Sequence, residues 1–174
     1  DGDCTRAYQL LEEGAEFGFM LSEHTYKVLV EALCQVLDVD KAREVLKLML
    51  SKEGVDKTRI YNIYLRALCF VNNPTELLNV LMFMLESKCQ ADLITLNTVI
   101  NGFCKIGRVD EALKVLHDML VGKFVVPDVV TFTTVISAML NAARVDEALD
   151  LYHEVMLENG LRPSVVTYNA LLRG

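Results

Sequence analysis

One period runs through most of this chain and decides what it can fold into. Cys34, Cys69 and Cys104 stand 35 residues apart. The tetrads His24-Thr25-Tyr26-Lys27, Arg59-Ile60-Tyr61-Asn62, Ile94-Thr95-Leu96-Asn97, Val130-Thr131-Phe132-Thr133 and Val166-Thr167-Tyr168-Asn169 follow one another at spacings of 35, 35, 36 and 36. A period of this length means one supersecondary unit stacked on copies of itself, none of which can bury its apolar face alone. Function has to be read from the stack.

Within a unit the apolar residues repeat as helices do. Leu96, Val99, Ile100, Phe103 and Cys104 sit at i, i+3, i+4, i+7 and i+8, which is one face of an α-helix. Tyr61, Tyr64, Leu65, Leu68 and Cys69 keep the same register one unit earlier, and Phe132, Val135, Ile136, Met139 and Leu140 one unit later. After the polar break Lys105-Ile106-Gly107-Arg108, a second helix opens on Asp110-Glu111, where the helix dipole favours acids. Its predicted face is Ala112, Val115, Leu116 and Met119, with Ala42, Val45, Leu46, Met49, then Leu77, Val80, Leu81, Met84, and Ala148, Leu151, Tyr152, Val155 as copies. Pro74 stands at a helix start, where its missing N–H costs little. Gly54, Gly122 and Gly160 lie near the ends of second helices, as C-caps. Each unit is a helical hairpin.

The 52% hydrophobic content follows from that architecture, since an internal hairpin is covered on two sides. No apolar run reaches the roughly 18 residues of a membrane span; the richest, Val80 to Leu85, is short and followed by charge. Three of the five cysteines share one repeat position and read as reduced core thiols. Cys4 and Cys89 form no C-x-x-C pair and no histidine cluster accompanies them, so neither a zinc site nor any cofactor is expected. The first residues have no secretory or transit-peptide character.

Gly107-Arg108-Val109-Asp110-Glu111-Ala112-Leu113, Val126-Pro127-Asp128, Val130-Thr131-Phe132 and Val166-Thr167-Tyr168-Asn169 resemble the pentatricopeptide repeat family, and the resemblance covers nearly the whole chain. The tetratricopeptide repeat, the other helical hairpin of this size, usually has 34 residues and a tryptophan and glycine pattern in its first helix. This chain has no tryptophan. The resemblance implies an all-α, right-handed α-solenoid of about four full repeats, at residues 23–57, 58–92, 93–128 and 129–164. Partial repeats are expected at 1–22, with Ala7, Leu10 and Leu11 in the second-helix register, and at 165–174. Their exposed apolar faces lead one to expect a piece of a longer array and self-association.

On the polar flank of each first helix Asn97, Asn101 and Lys105 form a line at i, i+4 and i+8, with Asn62, Arg66 and Phe70 before it and Thr133, Ser137 and Asn141 after it. Stacked hairpins would align these lines into a groove that advances one step per unit, so one unit can address one residue of an extended polymer such as single-stranded RNA. The family resemblance implies a two-residue code made by the fifth and last side chains of a unit. Asn62 then pairs with Asp92 and Asn97 with Asp128, a combination that implies uracil first and cytosine second. Thr133 with Ser164 suggests a weak purine preference, Asn169 begins a further unit, and Lys27 with Lys57 fits no readable pair. An amide donates and accepts while a carboxylate only accepts, so the second can fix the first. The bland alternative is a helix-start amide and a turn carboxylate that satisfy backbone groups.

The resemblance further implies that the residue before each recurrent Thr, here His24, Arg59, Ile94, Val130 and Val166, sandwiches a base; for the three aliphatic residues the alternative is inter-repeat core. Lys105, Arg66 and Asn101 are the phosphate and groove candidates. The formal charge of −7 runs against a strong nucleic-acid binder, although acids such as Glu111, Asp118, Glu147 and Glu154 belong on the outer helices. At about 1 to 3 kcal/mol per recognised base, two readable units supply roughly 2 to 6 kcal/mol, a dissociation constant of tens of micromolar at best. A protein-interaction scaffold is the second function class. No phosphate loop, nucleophile elbow or metal-spaced ligand set points to an enzyme. Action as an RNA-processing factor in mitochondria or chloroplasts is what the resemblance implies.

Overall fold

The computed structural model describes residues 6, 8–10, 13–14, 22–71 and 73–173, and among these there are helices and turns but no strand. The helices are α1 (Glu23–Gln35), α2 (Val39–Leu50), α3 (Lys57–Leu68), α4 (Pro74–Glu86), α5 (Leu93–Lys105), α6 (Val109–Leu120), α7 (Val129–Asn141), α8 (Val145–Asp150) and α9 (Val165–Arg173). They pair as hairpins in chain order. First helices α1, α3, α5, α7 and α9 stack on one another in a row, and each second helix packs on first helices without closely approaching another second helix. A solenoid wound this way is tighter on its first-helix side, which makes that side concave.

Helix starts follow from short polar caps. Ser22, Asp38, Asp56 and Asn73 each accept a bond from the backbone N–H three residues on, with Pro74 at the first position of α4. Asp92 and Asp128 close capping boxes with Thr95 and Thr131, satisfying two orphan backbone groups reciprocally. α3 departs from the period, because its cap is Asp56 rather than Lys57 and the helix begins one residue early. Lys57 is therefore the first helical residue and exposed.

The predicted faces are buried: Leu96, Val99, Ile100 and Phe103 on α5, Tyr61, Tyr64, Leu65 and Leu68 on α3, Ala112, Val115, Leu116 and Met119 on α6. Burying a side chain of this size contributes about 1.5–3 kcal/mol. Cys34 and Cys69 are free and buried, and Cys104 is free and half-buried. Burial pushes the Cys34 thiol up to about 12 and Cys104 up to about 11, so both are uncharged packing groups at neutral pH. Gly102 lets α5 approach its neighbours: a Cβ there would stand 2.9 Å from Leu77 Cδ1 and 3.0 Å from Cys69 Sγ.

Two expectations change. Past Asp150 the last second helix widens into a π-helical segment, Leu151–Met156, with Leu157 N–H donating to Tyr152 O at 3.2 Å. The wider turn moves the register, so Tyr152 and Met156 are buried while Leu151 and Val155 are only half-buried. In the first segment Tyr8 is buried and bonded to Glu44, whereas Leu10 is 61% exposed; Ala7 and Leu11 lie outside the described residues.

Between hairpin helices the chain reverses through one left-handed residue, Leu37 (φ 61°), Gly107 (φ 76°) or Ala143 (φ 58°). After α5 and α7, Arg108 N–H reaches back to Phe103 O and Arg144 N–H to Met139 O, both at 2.9 Å, the Schellman pattern that favours glycine. Ala143→Gly is expected to raise stability by about 0.5–1 kcal/mol and Gly107→Ala to lower it by a similar amount. Thermal unfolding of the two variants should shift in opposite directions.

Candidate nucleic-acid interface

The polar flank of the first helices is built from one repeated node. Asn62 Nδ2 donates to Asp92 Oδ1 at 3.2 Å, and the Thr95 hydroxyl lies 2.7 Å from Asn62 Oδ1 and 2.8 Å from Asp92 Oδ1. One unit on, Asn97 Nδ2 donates to Asp128 Oδ1 at 3.3 Å, with the Thr131 hydroxyl 2.6 Å from Asn97 Oδ1 and 2.8 Å from Asp128 Oδ1. Each node thus joins three residues: the fifth of one unit, the cap that ends it, and the third of the next unit. Both asparagines are half-buried, at equivalent positions of the stacked helices α3 and α5. The capping role and the pairing coexist in the same carboxylate.

Burial raises the Asp92 carboxyl, but bonds from Thr95 N–H, the Thr95 hydroxyl and the Asn62 amide outweigh it and hold the group below the usual carboxylate range. Asp128 is held low in the same way by Thr131 and Asn97, against burial. A carboxylate depressed in the folded state adds stability above its unfolded value of about 3.9 and loses it as pH falls through the lower folded value. The nodes are therefore intact throughout the neutral and mildly acidic range.

The third node is chemically different. Thr133 is 7% exposed, its hydroxyl 2.7 Å from both Val129 O and Thr167 Oγ1, and Ser164 Oγ lies 3.0 Å from Thr167 Oγ1. A threonine in the fifth position retracts toward its own helix, where the asparagines extend. Lys27 has no such node, for the residue facing it in the next unit is Ile60, which is buried.

The concave side holds three adjoining clefts. One of about 770 Å³ is lined by Lys27, Asp56, Arg59, Asn62, Arg66, Asp92, Ile94, Asn101 and Lys105. A second of about 1070 Å³ is lined by Val130, Thr133, Ser164 and Val166 and shares Asn101 and Lys105 with the first. A third, smaller one holds Asn169 and shares Val166 with the second. His24, Lys57, Asn97 and Asp128 line none of them, and Asp56 occupies the place expected of Lys57. Ile94, Val130 and Val166 are 65%, 59% and 65% exposed, so the core alternative for these aliphatics is overturned. Arg59 makes an ion pair with Glu23 at 2.5 Å, and Lys105 Nζ lies 5.1 Å from the centre of the exposed Phe70 ring.

Charge is uneven along the stack and separates between layers only toward its C-terminal end, since second helix α2 carries Lys41, Arg43 and Lys47 against Asp40 and Glu44. First helices carry Lys27, Lys57, Arg59, Arg66, Lys105 and Arg173 against Glu23 and Glu31, while α8 and its π segment carry Asp146, Glu147, Asp150 and Glu154 with no lysine or arginine. The cap aspartates moderate the contrast without removing it. Among the described residues no group of His, Cys, Asp and Glu is placed to hold a metal ion, and no helix is long and apolar enough to cross a membrane.

A row of helical hairpins with a polar node at three of its steps and adjoining clefts along the first helices defines a helical-repeat protein. The PPR repeat family model matches residues 127–174, and PPR repeat models match 87–120 and 24–53. The chain belongs to the pentatricopeptide repeat family. No curated protein matches it in sequence. Among solved structures it is similar to the pentatricopeptide repeat protein PPR10 from maize, with a TM-score of 0.74 and 24% identity over 94% of this chain and 23% of that one. PPR10 in complex with an 18-nt psaJ RNA element gives a TM-score of 0.67 and 27% identity over 98% of this chain and 24% of that one. The PPR domain of Arabidopsis thaliana protein-only RNase P 1, in complex with tRNA, gives 0.66 and 18% over 99% of this chain and 90% of that domain. The chain thus spans about a quarter of the length of PPR10.

The threonines that complete the nodes, Thr95, Thr131 and Thr167, were not among the sequence candidates. Their signal lies in the spacing Asp-x-x-Thr and Ser-x-x-Thr at 92/95, 128/131 and 164/167, which is a capping-box signature.

Proposed function

We propose that the chain is a sequence-specific single-stranded RNA-binding array in which each hairpin addresses one base, and that it serves organellar RNA processing in mitochondria or chloroplasts by occupying a transcript site. The observation that carries this reading is the pair of identically built Asn–Asp nodes in successive units, the first of which lines the 770 Å³ cleft. Each asparagine keeps one amide N–H directed away from its carboxylate, and that donor can meet a pyrimidine carbonyl. Exposed Ile94, Val130 and Val166 supply flat apolar contacts one helical turn away, where a base face can pack. Lys27, Arg59, Arg66 and Lys105 give the trough its positive groups, which suits the phosphate backbone. The array acts by occupancy, guiding or blocking other factors, and no residue is assigned a catalytic role. RNA-bound PPR10 and the tRNA complex, as relatives of the fold, support the assignment of partner.

Titration of fluorescent oligouridine and oligoadenosine at low and high salt tests it. Oligouridine is expected to bind more tightly, in the tens of micromolar range, with a log-log salt slope of about −0.7 per phosphate neutralised. Failure of both to bind at low salt overturns the RNA reading of this segment. That result would favour protein docking instead, for which α4 offers the exposed side chains Leu78, Met82 and Phe83.

A further inference from the structure

We infer that base choice in the two asparagine units is set by a third residue that never touches the RNA: the buried threonine at the third position of the following unit, Thr95 for Asn62 and Thr131 for Asn97. The inference rests on the RNA-binding reading and deepens it. Thr95 and Thr131 are both fully buried, so neither can meet a base. They are positioning residues.

The geometry explains what they do. The Thr95 oxygen accepts the Asp92 N–H at 3.2 Å. Its single proton therefore remains for one acceptor, and Asn62 Oδ1 at 2.7 Å is the closer of the two available. In that arrangement the carboxamide faces Thr95 with its oxygen and Asp92 with its nitrogen. Rotating the amide by half a turn would set Asn62 Oδ1 against Asp92 Oδ1 at about the 3.2 Å now held by a bond, two acceptors with no proton between them. The same arrangement recurs at Asn97, with Asp128 N–H to Thr131 Oγ1 at 3.1 Å. Each asparagine is thus gripped at both ends, and its second N–H donor is left over by the node.

The pattern along the chain agrees. Threonine fills the third position wherever the fifth residue one unit back is polar and uncharged, at Thr95, Thr131 and Thr167 behind Asn62, Asn97 and Thr133. Where that residue is Lys27, the facing position is Ile60, which is 2% exposed. Ile60 also shows that the fold accepts a β-branched apolar side chain there, so Thr95→Val and Thr131→Val should preserve packing.

The test uses the chain carrying Thr95→Val and Thr131→Val together, the same pair replaced by Ser, and the unaltered chain. Binding to oligouridine, oligocytidine and oligoadenosine is measured by fluorescence anisotropy, and the Asn62 and Asn97 side-chain amide signals are followed by NMR without RNA. With one orienting hydrogen bond lost at each node, uracil-over-adenine selectivity is expected to fall about fivefold per node in the valine variant. The serine variant, which keeps the hydroxyl, is expected to hold the ratio, and the free-state amide signals should move in the valine variant only. Selectivity of the valine variant equal to that of the unaltered chain, with its fold retained, overturns this inference and leaves the RNA reading standing. Lack of RNA binding by the unaltered chain overturns both.

Discussion

Arg43→Ala is expected to lower the unfolding free energy by about 2–4 kcal/mol, the cost of leaving buried Glu76 without its partner, reduced because Arg43 itself is 40% exposed. Glu76, in the first turn of α4, is only 4% exposed. Its two oxygens accept a bidentate pair from Arg43 on α2, Nε to Oε1 at 2.9 Å and Nη2 to Oε2 at 2.8 Å, and the Tyr64 hydroxyl stands 3.4 Å from Oε1. Second helices make no close backbone approach to one another, so this fork joins the outer sides of two successive units through side chains. In a stack whose stability is a sum of unit and neighbour terms, losing it weakens a whole interface. The comparison variant Arg43→Met with Glu76→Leu removes both charges and should cost far less, since apolar pairs of similar volume replace buried ion pairs with little loss. Urea unfolding of the three proteins decides the matter. A loss under about 1 kcal/mol for Arg43→Ala would mean that water already reaches Glu76. The Arg144–Asp110 pair, at 2.7 Å with Asp110 exposed, joins the next outer helices in a position where the contribution is small.

Helical periodicity carried the fold because each unit repeats the same burial problem. Leu96, Val99, Ile100 and Phe103 are at the right spacing and are buried, and the same holds for Ala112, Val115, Leu116 and Met119. Departures occur where a local bond competes with the period. Asp56 is a better cap than Lys57 because a carboxylate can accept from a backbone N–H and an ammonium cannot, so α3 starts a residue early. The π-helical turn after Asp150 leaves no mark in the apolar pattern, since Leu151, Tyr152, Val155 and Met156 fit both registers. Glu76 reads as an ordinary acid of a first turn; only the position of Arg43 across the interface gives this buried carboxylate its ion pair.

The interface was half legible for a similar reason. Fifth and last residues lie on the same helix face and at its cap, so the line from Asn62 to Asn97 follows from spacing alone. Exposure of Ile94, Val130 and Val166 does not, because an aliphatic at the second helical position can face either the neighbour or solvent. The bridging threonines join residues 33 and 34 positions apart, and a bond of that range becomes visible only once the register between units is known. Lys57 drops out and Asp56 enters for the same one-residue reason that shifts α3.

Asn97→Thr is expected to move the preference of one unit from uracil toward guanine, by about 1–3 kcal/mol of discrimination. Thr133 displays what a threonine does in the fifth position: its hydroxyl turns back to the carbonyl four residues earlier and the side chain withdraws, at 7% exposure. Threonine at position 97 would release Asp128 from the amide that now bonds it at 3.3 Å. A free carboxylate only accepts, and the guanine Watson–Crick edge offers it two adjacent donors, N1–H and the N2 amino group. Uracil offers a single donor between two carbonyl oxygens, both of which repel the carboxylate. Binding to a set of oligouridines carrying guanine at one position at a time reports the change as a single site of gain. Neighbouring positions should keep their uracil preference, because the Asn62 node shares no side chain with the Asn97 node. An unaltered uracil preference at every position would show that Asn97 and Asp128 are capping groups without a part in recognition.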